Sequence, residues 1–243
     1  MNPSAGSVFA TAVRRALVSG PPRAGEVGLA LFQTSDWTAL LPSAWRLLGG
    51  AERDRAERFR FERDQTHYVL AHALWRVVLA HCLDVALADL PLHFASSGQP
   101  QLPGTRFATS LSHSAGAVLI GVGQLATLGV DIERMPPRIP LAGLMYTLCT
   151  PEEAAALRDL APAIREPALL QLWTRKEALL KAFGVGLALA PAAIAAEPGV
   201  PVPPPAGSTC PPCCVCDLVL SADQLGSLAV PEGAVPRIVS IVP

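Results

Sequence analysis

The sequence lacks several features that define whole classes of protein. Among its 243 residues, 19 are basic and 20 are acidic, so there is no excess of charge of either sign. Nucleic-acid binding generally relies on a basic surface, and this balance argues against it. The longest apolar-looking stretch, residues 115–130, contains four glycines, whereas a membrane-spanning helix needs about 20 predominantly apolar residues. The first 22 residues have no early positive charge, which predicts a floppy or short-helical leader rather than a signal peptide.

The chain has six cysteines, and their distribution limits what they can do. Cys82 and Cys149 stand alone in apolar segments and are predicted to be buried thiols. The other four lie in the segment CPPCCVC, residues 210–216. C-x-x-C is a zinc or redox spacing, but there is no second C-x-x-C and no close pair of histidines. We expect reduced thiols in a proline-rich loop, as in a cytoplasmic protein, with a metal or redox role as the less favoured alternative.

Periodicity and turn signals predict helices and strands in a repeated order. Thr150, Pro151 and Glu153 form a predicted capping box at the start of a helix. The segments with helical periodicity are residues 51–82 and 166–186, and those with strand character are residues 107–123, 125–133 and three short segments after residue 213. Helix followed by strands, twice, predicts an α+β fold of two similar halves, residues 1–125 and 126–243.

Acidic residues gather at the end of one predicted strand. In GVDIE, Asp131 and Glu133 are two residues apart, so their carboxylates lie on the same face and repel unless water or a cation compensates them. In WTRKEALLKAFGVG, Glu177 and Lys181 are four residues apart on one face of a predicted helix. Taken alone, this second pair is typical of an exposed ion pair. Together, the three carboxylates form an all-oxygen set of the kind that Mg²⁺ prefers.

These motifs resemble those of the Sfp-type 4′-phosphopantetheinyl transferases. GVDIE is followed about forty residues later by WTRKEALLKAFGVGL and preceded by SLSHS, and the resemblance covers roughly residues 50–190. It implies a pseudo-dimeric fold with the active site in the cleft between the halves. The N-terminal half, residues 1–125, would bind the coenzyme A nucleotide, and the C-terminal half, residues 126–243, would carry the metal site and the catalytic helix.

The resemblance also implies a reaction and its residues. A monomeric, cytoplasmic enzyme would transfer the 4′-phosphopantetheine group of coenzyme A to a serine of an apo acyl, aryl or peptidyl carrier protein, releasing adenosine 3′,5′-bisphosphate. Neither nucleic acid nor a membrane would be a partner. Glu177 would also be the base for the carrier serine, and Glu153 would help to organise the ion. The catalytic residues that the resemblance implies are Glu177, Lys181 and Lys176. The residues implied to bind Mg²⁺, with Mn²⁺ as an alternative, are Asp131, Glu133 and Glu177. Those implied to bind coenzyme A are Arg53, Arg55, Gln99, Ser112, His113 and Lys181.

Two departures from the family pattern keep other functions open. Gln99 stands where the family usually has a lysine or arginine, and His67 stands where it often has an arginine. Losing these charges predicts weaker coenzyme A binding, and leaves open a family member that binds coenzyme A or a carrier protein without efficient turnover. A nucleotide-phosphate hydrolase using the same carboxylates is another alternative. A Ser-His hydrolase built on Ser112 and His113 is rejected, because adjacent residues cannot readily form a nucleophile–base pair and there is no G-x-S-x-G elbow.

Overall fold

The computed structural model describes residues 5–137, 139–234 and 237–240, and it confirms the α+β class. The helices are α1 Ala5–Ala16, α2 Leu41–Trp45, α3 Gly50–Ala56, α4 Glu62–Cys82, α5 Met145–Leu148, α6 Pro151–Arg158 and α7 Pro162–Phe183. The strands are β1 Glu26–Gln33, β2 His93–Phe94, β3 Pro100–Gln101, β4 Ala108–Ser114, β5 Ala117–Gly123, β6 Gly129–Arg134, β7 Cys213–Leu218, β8 Gln224–Pro231 and β9 Arg237–Ser240. In the described part of the chain, no helix is both long and apolar enough to cross a membrane.

The first sheet has the strand order β4-β5-β1-β9 and carries the N-terminal helices. β1 pairs antiparallel with β5 and parallel with β9, so the last described strand joins the sheet of the first half. The long helix α4 packs on this sheet and supplies more of the core than any other element, including the fully buried Leu70 and Leu74. Phe9 and Val13 of α1 are also fully buried in that core. Of the two expected alternatives, a floppy or a short-helical leader, the structure therefore shows the helix, and it is packed in the core.

The helix expected over residues 51–82 is interrupted. α3 ends at Ala56 and α4 begins at Glu62, and the turn between them lets Phe59 pack on Tyr68 with ring centroids 5.3 Å apart. The side chain of Gln65 donates a hydrogen bond to the carbonyl of Ala56 at 3.0 Å. This bond satisfies one of the carbonyls that the end of α3 leaves free. The contact between the two helices thus decides where the chain turns, although the helical periodicity of the sequence continues through the turn.

The second sheet has the order β6-β8-β7, is antiparallel throughout, and packs against α7. The predicted capping box at the start of α6 is confirmed: Thr150 accepts from the backbone N–H of Glu153, and Glu153 accepts from that of Thr150. Strand β7 contains Cys213, Cys214 and Cys216, because their segment pairs with β8. This confirms the strand expected after residue 213, and it corrects the expectation that these thiols lie in a proline-rich loop. All six cysteines are free thiols, and Cys82 and Cys149 are buried as expected.

The two sheets meet where β4 runs beside β6. The hydroxyl of Ser110 accepts a hydrogen bond from the N–H of Val130 at 3.1 Å, and that of Ser112 accepts one from the N–H of Ile132 at 3.3 Å. Serine side chains on β4 thus take the place that a strand backbone would occupy in a continuous sheet. This junction fixes β6, and with it the acidic residues of GVDIE, against the first half. That the two halves are structural cousins remains a prediction.

Candidate active site at the junction of the two sheets

Asp131 is the most deeply buried of the acidic residues at the junction. Its side chain is 6% exposed, and Oδ1 accepts hydrogen bonds from the Ser112 hydroxyl and the Lys181 ammonium, each at 2.7 Å. Its other oxygen, Oδ2, is buried and has no hydrogen-bond partner in the described part of the chain. A buried carboxylate oxygen without a partner is costly, so it marks a position where a positively charged ligand would be favourable.

Glu133 lies two residues further along β6 and is held by the same strand of the first half. Its Oε2 accepts a hydrogen bond from the Ser114 hydroxyl at 2.5 Å. Burial raises the pKa of this carboxyl, the bond from Ser114 opposes the rise, and the nearby Asp131 adds to it. Ser110, Ser112 and Ser114 alternate along β4 and all serve β6. This alternation is visible in the sequence, and our sequence analysis did not use it.

Glu177 brings the third carboxylate from helix α7. Burial is the main reason that its pKa is raised to about 7, and the charge of Asp131 adds to the rise more than Lys181 offsets it. Its Oε1 is buried and, like Oδ2 of Asp131, has no hydrogen-bond partner within the described ranges. The site therefore holds more negative charge than its own residues compensate.

Lys181 lies one turn after Glu177 and is the cation of the site. Its Nζ donates to Oδ1 of Asp131 and, at 3.2 Å, to the carbonyl of Val130. The side chain is 28% exposed and lines the larger of the two cavities at this site. It can therefore reach a bound anion from the position that it already occupies.

The residues fit a hard divalent cation by their chemistry. No group of three His, Cys, Asp or Glu side chains within residues 5–137, 139–234 and 237–240 is arranged as a metal site, so the present arrangement is not a coordination sphere. Two partnerless buried oxygens and a carboxyl with a pKa of about 7 nevertheless indicate a local deficit of positive charge. An all-oxygen donor set suits Mg²⁺, which binds carboxylates together with water and phosphate oxygens.

The larger cavity, of about 610 Å³, opens between the first half and the end of α7. We call it the donor cavity. Four of the residues predicted to bind coenzyme A line it: Arg55, Gln99, His113 and Lys181. Arg53 is exposed on the same helix as Arg55 but outside this lining. Ser112 does not line it either, since its hydroxyl is committed to Asp131.

One wall of the donor cavity is a continuous run of aromatic rings. Neighbouring centroids are 4.0 to 6.0 Å apart along the series Phe59, Tyr68, His72, Trp75 and Phe94. Behind it, the carboxylate of Glu52 is hydrogen-bonded to Nδ1 of His72 at 2.9 Å and paired with Arg76 at 2.7 Å. Sequence analysis missed this wall because its rings come from the turn between α3 and α4, from α4 and from β2, which only the fold brings together.

A second cavity, of about 460 Å³, lies on the other side of His113. It is lined by Glu133 and Trp173 and by apolar side chains that include Leu141, Leu144 and Leu170. His113 borders both cavities. Burial lowers its pKa to about 4, and the charges of His72 and Lys181 lower it further by smaller amounts. At neutral pH this imidazole is therefore uncharged.

Comparison with known proteins agrees with this arrangement. Residues 127–199 match the model of the 4′-phosphopantetheinyl transferase superfamily. Over these residues the chain is similar to this superfamily. The 4′-phosphopantetheinyl transferase HetI of Nostoc sp. is 33% identical over 146 residues, covering 58% of this chain and 61% of that protein. The 4′-phosphopantetheinyl transferase psf-1 of Bacillus pumilus is 32% identical over 140 residues, covering 56% and 58% respectively. The chain thus spans less than two thirds of the length of either relative.

The superfamily match includes Lys176 and Glu153, but the structure does not bring them to the three carboxylates. Lys176 is fully buried, and its Nζ donates to Oε2 of Glu153 at 2.5 Å and to the carbonyls of Pro191 and Ile194 at 3.0 and 2.8 Å. The other oxygen of Glu153 accepts from the N–H of Ala196 at 3.0 Å. These contacts tie α6, α7 and the following loop together and favour a structural role for both residues.

The two residues that depart from the Sfp-type pattern lie in different cavities. Gln99 lines the donor cavity, and its amide nitrogen lies 3.4 Å from the carbonyl of Ala182 at the end of α7. His67 lines the second cavity. The neutral side chain of Gln99 therefore contacts the end of helix α7.

Proposed function

We propose that the chain transfers the 4′-phosphopantetheine group of coenzyme A to a serine of an apo carrier protein, with adenosine 3′,5′-bisphosphate as the second product. The observation that carries this proposal is the convergence of Asp131, Glu133, Glu177 and Lys181, of which Lys181 lines the donor cavity and Glu133 lines the second cavity. This is the equipment of phosphoryl transfer: carboxylates for a divalent ion, a fixed cation, and a titratable group for the nucleophile. The names of the relatives agree with the reaction.

Each residue has a role that follows from its surroundings. Lys181 would bind a phosphate oxygen of the donor and stabilise negative charge as it develops there. Glu177, with a pKa of about 7, is suited to accept the proton of the carrier serine near neutral pH. His113 is neutral and borders both cavities. It would donate a hydrogen bond to a phosphate group of the donor bound between them.

Asp131, Glu133 and Glu177 would hold Mg²⁺, or Mn²⁺ in its place. When bound, the ion would neutralise charge on the diphosphate of coenzyme A. Ser112 and Ser114 would act indirectly, because their hydroxyls orient the carboxylates of Asp131 and Glu133. The free thiols fit a reducing compartment such as the cytoplasm, and we propose that the enzyme is a monomer there.

An alternative is a family member that binds coenzyme A or a carrier protein with little turnover. The observation that favours it is the position of Gln99, which places a neutral amide in the donor cavity where the Sfp-type pattern has a cation. Losing a charged hydrogen bond to a phosphate would weaken donor binding by about 1.5–3 kcal/mol.

Chromatographic detection of adenosine 3′,5′-bisphosphate separates these functions. The purified chain would be incubated with coenzyme A and Mg²⁺, with and without apo carrier proteins. Release that requires both carrier and Mg²⁺ supports the proposal. Release without any carrier would identify a nucleotide-phosphate hydrolase, and no release from a chain that binds coenzyme A by calorimetry would favour the binding protein.

A further inference from the structure

The donor cavity offers very little free positive charge. Among the described residues that line it, three carry a permanent charge: Glu52, Arg55 and Lys181. Glu52 is paired with Arg76, and Lys181 is paired with Asp131, each at 2.7 Å. Among the described lining residues, Arg55 is therefore the one whose charge is not matched by an ion pair.

Arg55 itself is poorly placed to bind a phosphate tightly. Its side chain is exposed on α3, and its guanidinium carbon lies 5.6 Å from the centroid of the Tyr68 ring. An exposed cation interacts only weakly with an anion, because water and salt screen the attraction. Arg53, on the same helix, lies outside the lining.

The remaining lining is suited to neutral groups. The aromatic wall offers rings on which a purine can stack, and the uncharged residues Thr109, Ser110 and Gln99 also line the cavity. The amide of Gln99 is confined, because Gly184 at the end of α7 lies directly against it and a Cβ at that position would overlap it. Gln99 therefore cannot swing freely to replace a missing cation.

Coenzyme A brings two separate groups of negative charge to this cavity, the diphosphate and the 3′-phosphate of the ribose. Under the proposed function, Lys181 and the divalent ion serve the diphosphate, which leaves the exposed Arg55 for the 3′-phosphate. We infer that the 3′-phosphate contributes little to donor recognition, and that the chain uses 3′-dephospho-coenzyme A as a donor nearly as well as coenzyme A. This inference rests on the proposed function.

Transfer from 3′-dephospho-coenzyme A forms and breaks the same bonds as transfer from coenzyme A. A bond forms between Oγ of the carrier serine and the phosphorus next to the pantetheine group. The bond from that phosphorus to the bridging oxygen of the diphosphate breaks, and the serine proton is released. Adenosine 5′-monophosphate leaves in place of adenosine 3′,5′-bisphosphate, and the holo-carrier product is identical.

Steady-state kinetics with the two donors test the inference directly. The full chain would be assayed with Mg²⁺ and one apo carrier protein that it modifies, at an ionic strength near that of the cell. We expect kcat/KM for coenzyme A to exceed that for 3′-dephospho-coenzyme A by no more than about fivefold, the size of effect typical of an exposed ion pair. A preference of tenfold or more for coenzyme A would overturn the inference.

Three substitutions test which residue is responsible for any remaining preference for coenzyme A over 3′-dephospho-coenzyme A. Arg55→Ala should bring the ratio of the two donors close to one, whereas Arg158→Ala, which removes an exposed arginine from the end of α6 in the other half, should leave the ratio unchanged. Gln99→Lys adds a permanent cation to the donor cavity and should raise the preference for coenzyme A. A large preference that survives Arg55→Ala would show that another group binds the 3′-phosphate and would contradict the inference.

Calorimetric binding of the two donors to the wild-type chain keeps this test separate from the proposed function. If no carrier is modified with either donor, the proposed function fails, and the ratio of the two dissociation constants then decides whether the cavity discriminates against the missing 3′-phosphate. If coenzyme A is used and the shorter donor is not, the proposed function stands and the inference fails.

Discussion

Glu177 is the residue whose ionisation reports most directly on the site. Its pKa is about 7 when folded, against an ordinary value of 4.5, so the folded chain holds a proton that the unfolded chain releases between these values. Its contribution to stability is therefore present below about pH 4.5 and lost as the pH rises through about pH 7. In EDTA, we expect the melting temperature to fall more steeply with pH across this range for the wild type than for Glu177→Gln. Thermal scans at matched pH values measure both slopes, and equal slopes would contradict the assignment.

Lys176 provides a second prediction at the level of single residues. Lys176→Met removes the charge that compensates Glu153 inside the protein, and breaking a buried pair from one side costs about 3–5 kcal/mol. Chemical denaturation measures the loss. We expect the double variant Lys176→Met/Glu153→Gln to be less destabilised than the single variant, because it leaves no unpaired buried charge. A single variant as stable as the wild type would show that the pair has no structural role.

Sequence patterns were a good guide to individual residues only where the chemistry is local. GVDIE and WTRKEALLK indicated Asp131, Glu133, Glu177 and Lys181, and the structure brings these four together. The hydrogen bonds from the hydroxyls of Ser112 and Ser114 to Asp131 and Glu133 were not predicted, because each pair joins two strands and its residues are 19 apart in the chain. Lys176 was assigned to the reaction because it adjoins Glu177 in the chain. Neighbours on a helix point in directions about 100° apart, and the structure pairs Lys176 with Glu153 instead.

At the level of elements, the site depends on the close approach of strand β6 to helix α7. Gly129 makes this approach possible, since a Cβ there would overlap the carbonyl of Ala178 and lie 2.7 Å from the backbone nitrogen of Ala182. Gly129→Ala should therefore push the strand from the helix and cost about 3 kcal/mol or more. Gly143→Ala is a matched control, because nothing lies within 4 Å of its Cβ, and it should change stability by less than about 0.5 kcal/mol.

Denaturation midpoints of these two variants give the comparison. Gly129→Ala should also lose activity in proportion to the displacement of Asp131 and Glu133 on the same strand. Equal stability of the two alanine variants would mean that β6 and α7 can separate without cost, and would contradict the packing described here.

Elements with strong local signals were predictable, and those defined by distant contacts were not. The strands β4, β5 and β6 and the capping box of α6 follow from alternation, turn residues and the Thr150–Glu153 pair. The break between α3 and α4 and the burial of α1 do not, because both depend on which surface the first sheet offers for packing. The position of β9 beside β1 joins residues more than 200 apart in the chain, which no local pattern specifies.

At the level of the whole molecule, the two predicted halves are joined, among other contacts, at the β4–β6 junction and at the β9–β1 pair. The serines of β4 bind the backbone of β6, and β9 returns from the second half to pair with β1, with the N–H of Arg237 bonded to the carbonyl of Gly25 at 2.8 Å. We expect the halves to unfold in one cooperative transition, with a calorimetric enthalpy equal to the van't Hoff enthalpy. Two resolved peaks in differential scanning calorimetry would show instead that the halves are stable independently.

Intact-mass spectrometry of an apo carrier protein tests the central claim most directly. The carrier would be incubated with the chain, coenzyme A and Mg²⁺, beside an EDTA control and the Glu177→Gln variant. The account predicts a mass gain of one phosphopantetheine group on the carrier serine, which disappears both in EDTA and with the variant. No gain on any of several carriers, from a folded chain that binds coenzyme A, would contradict it.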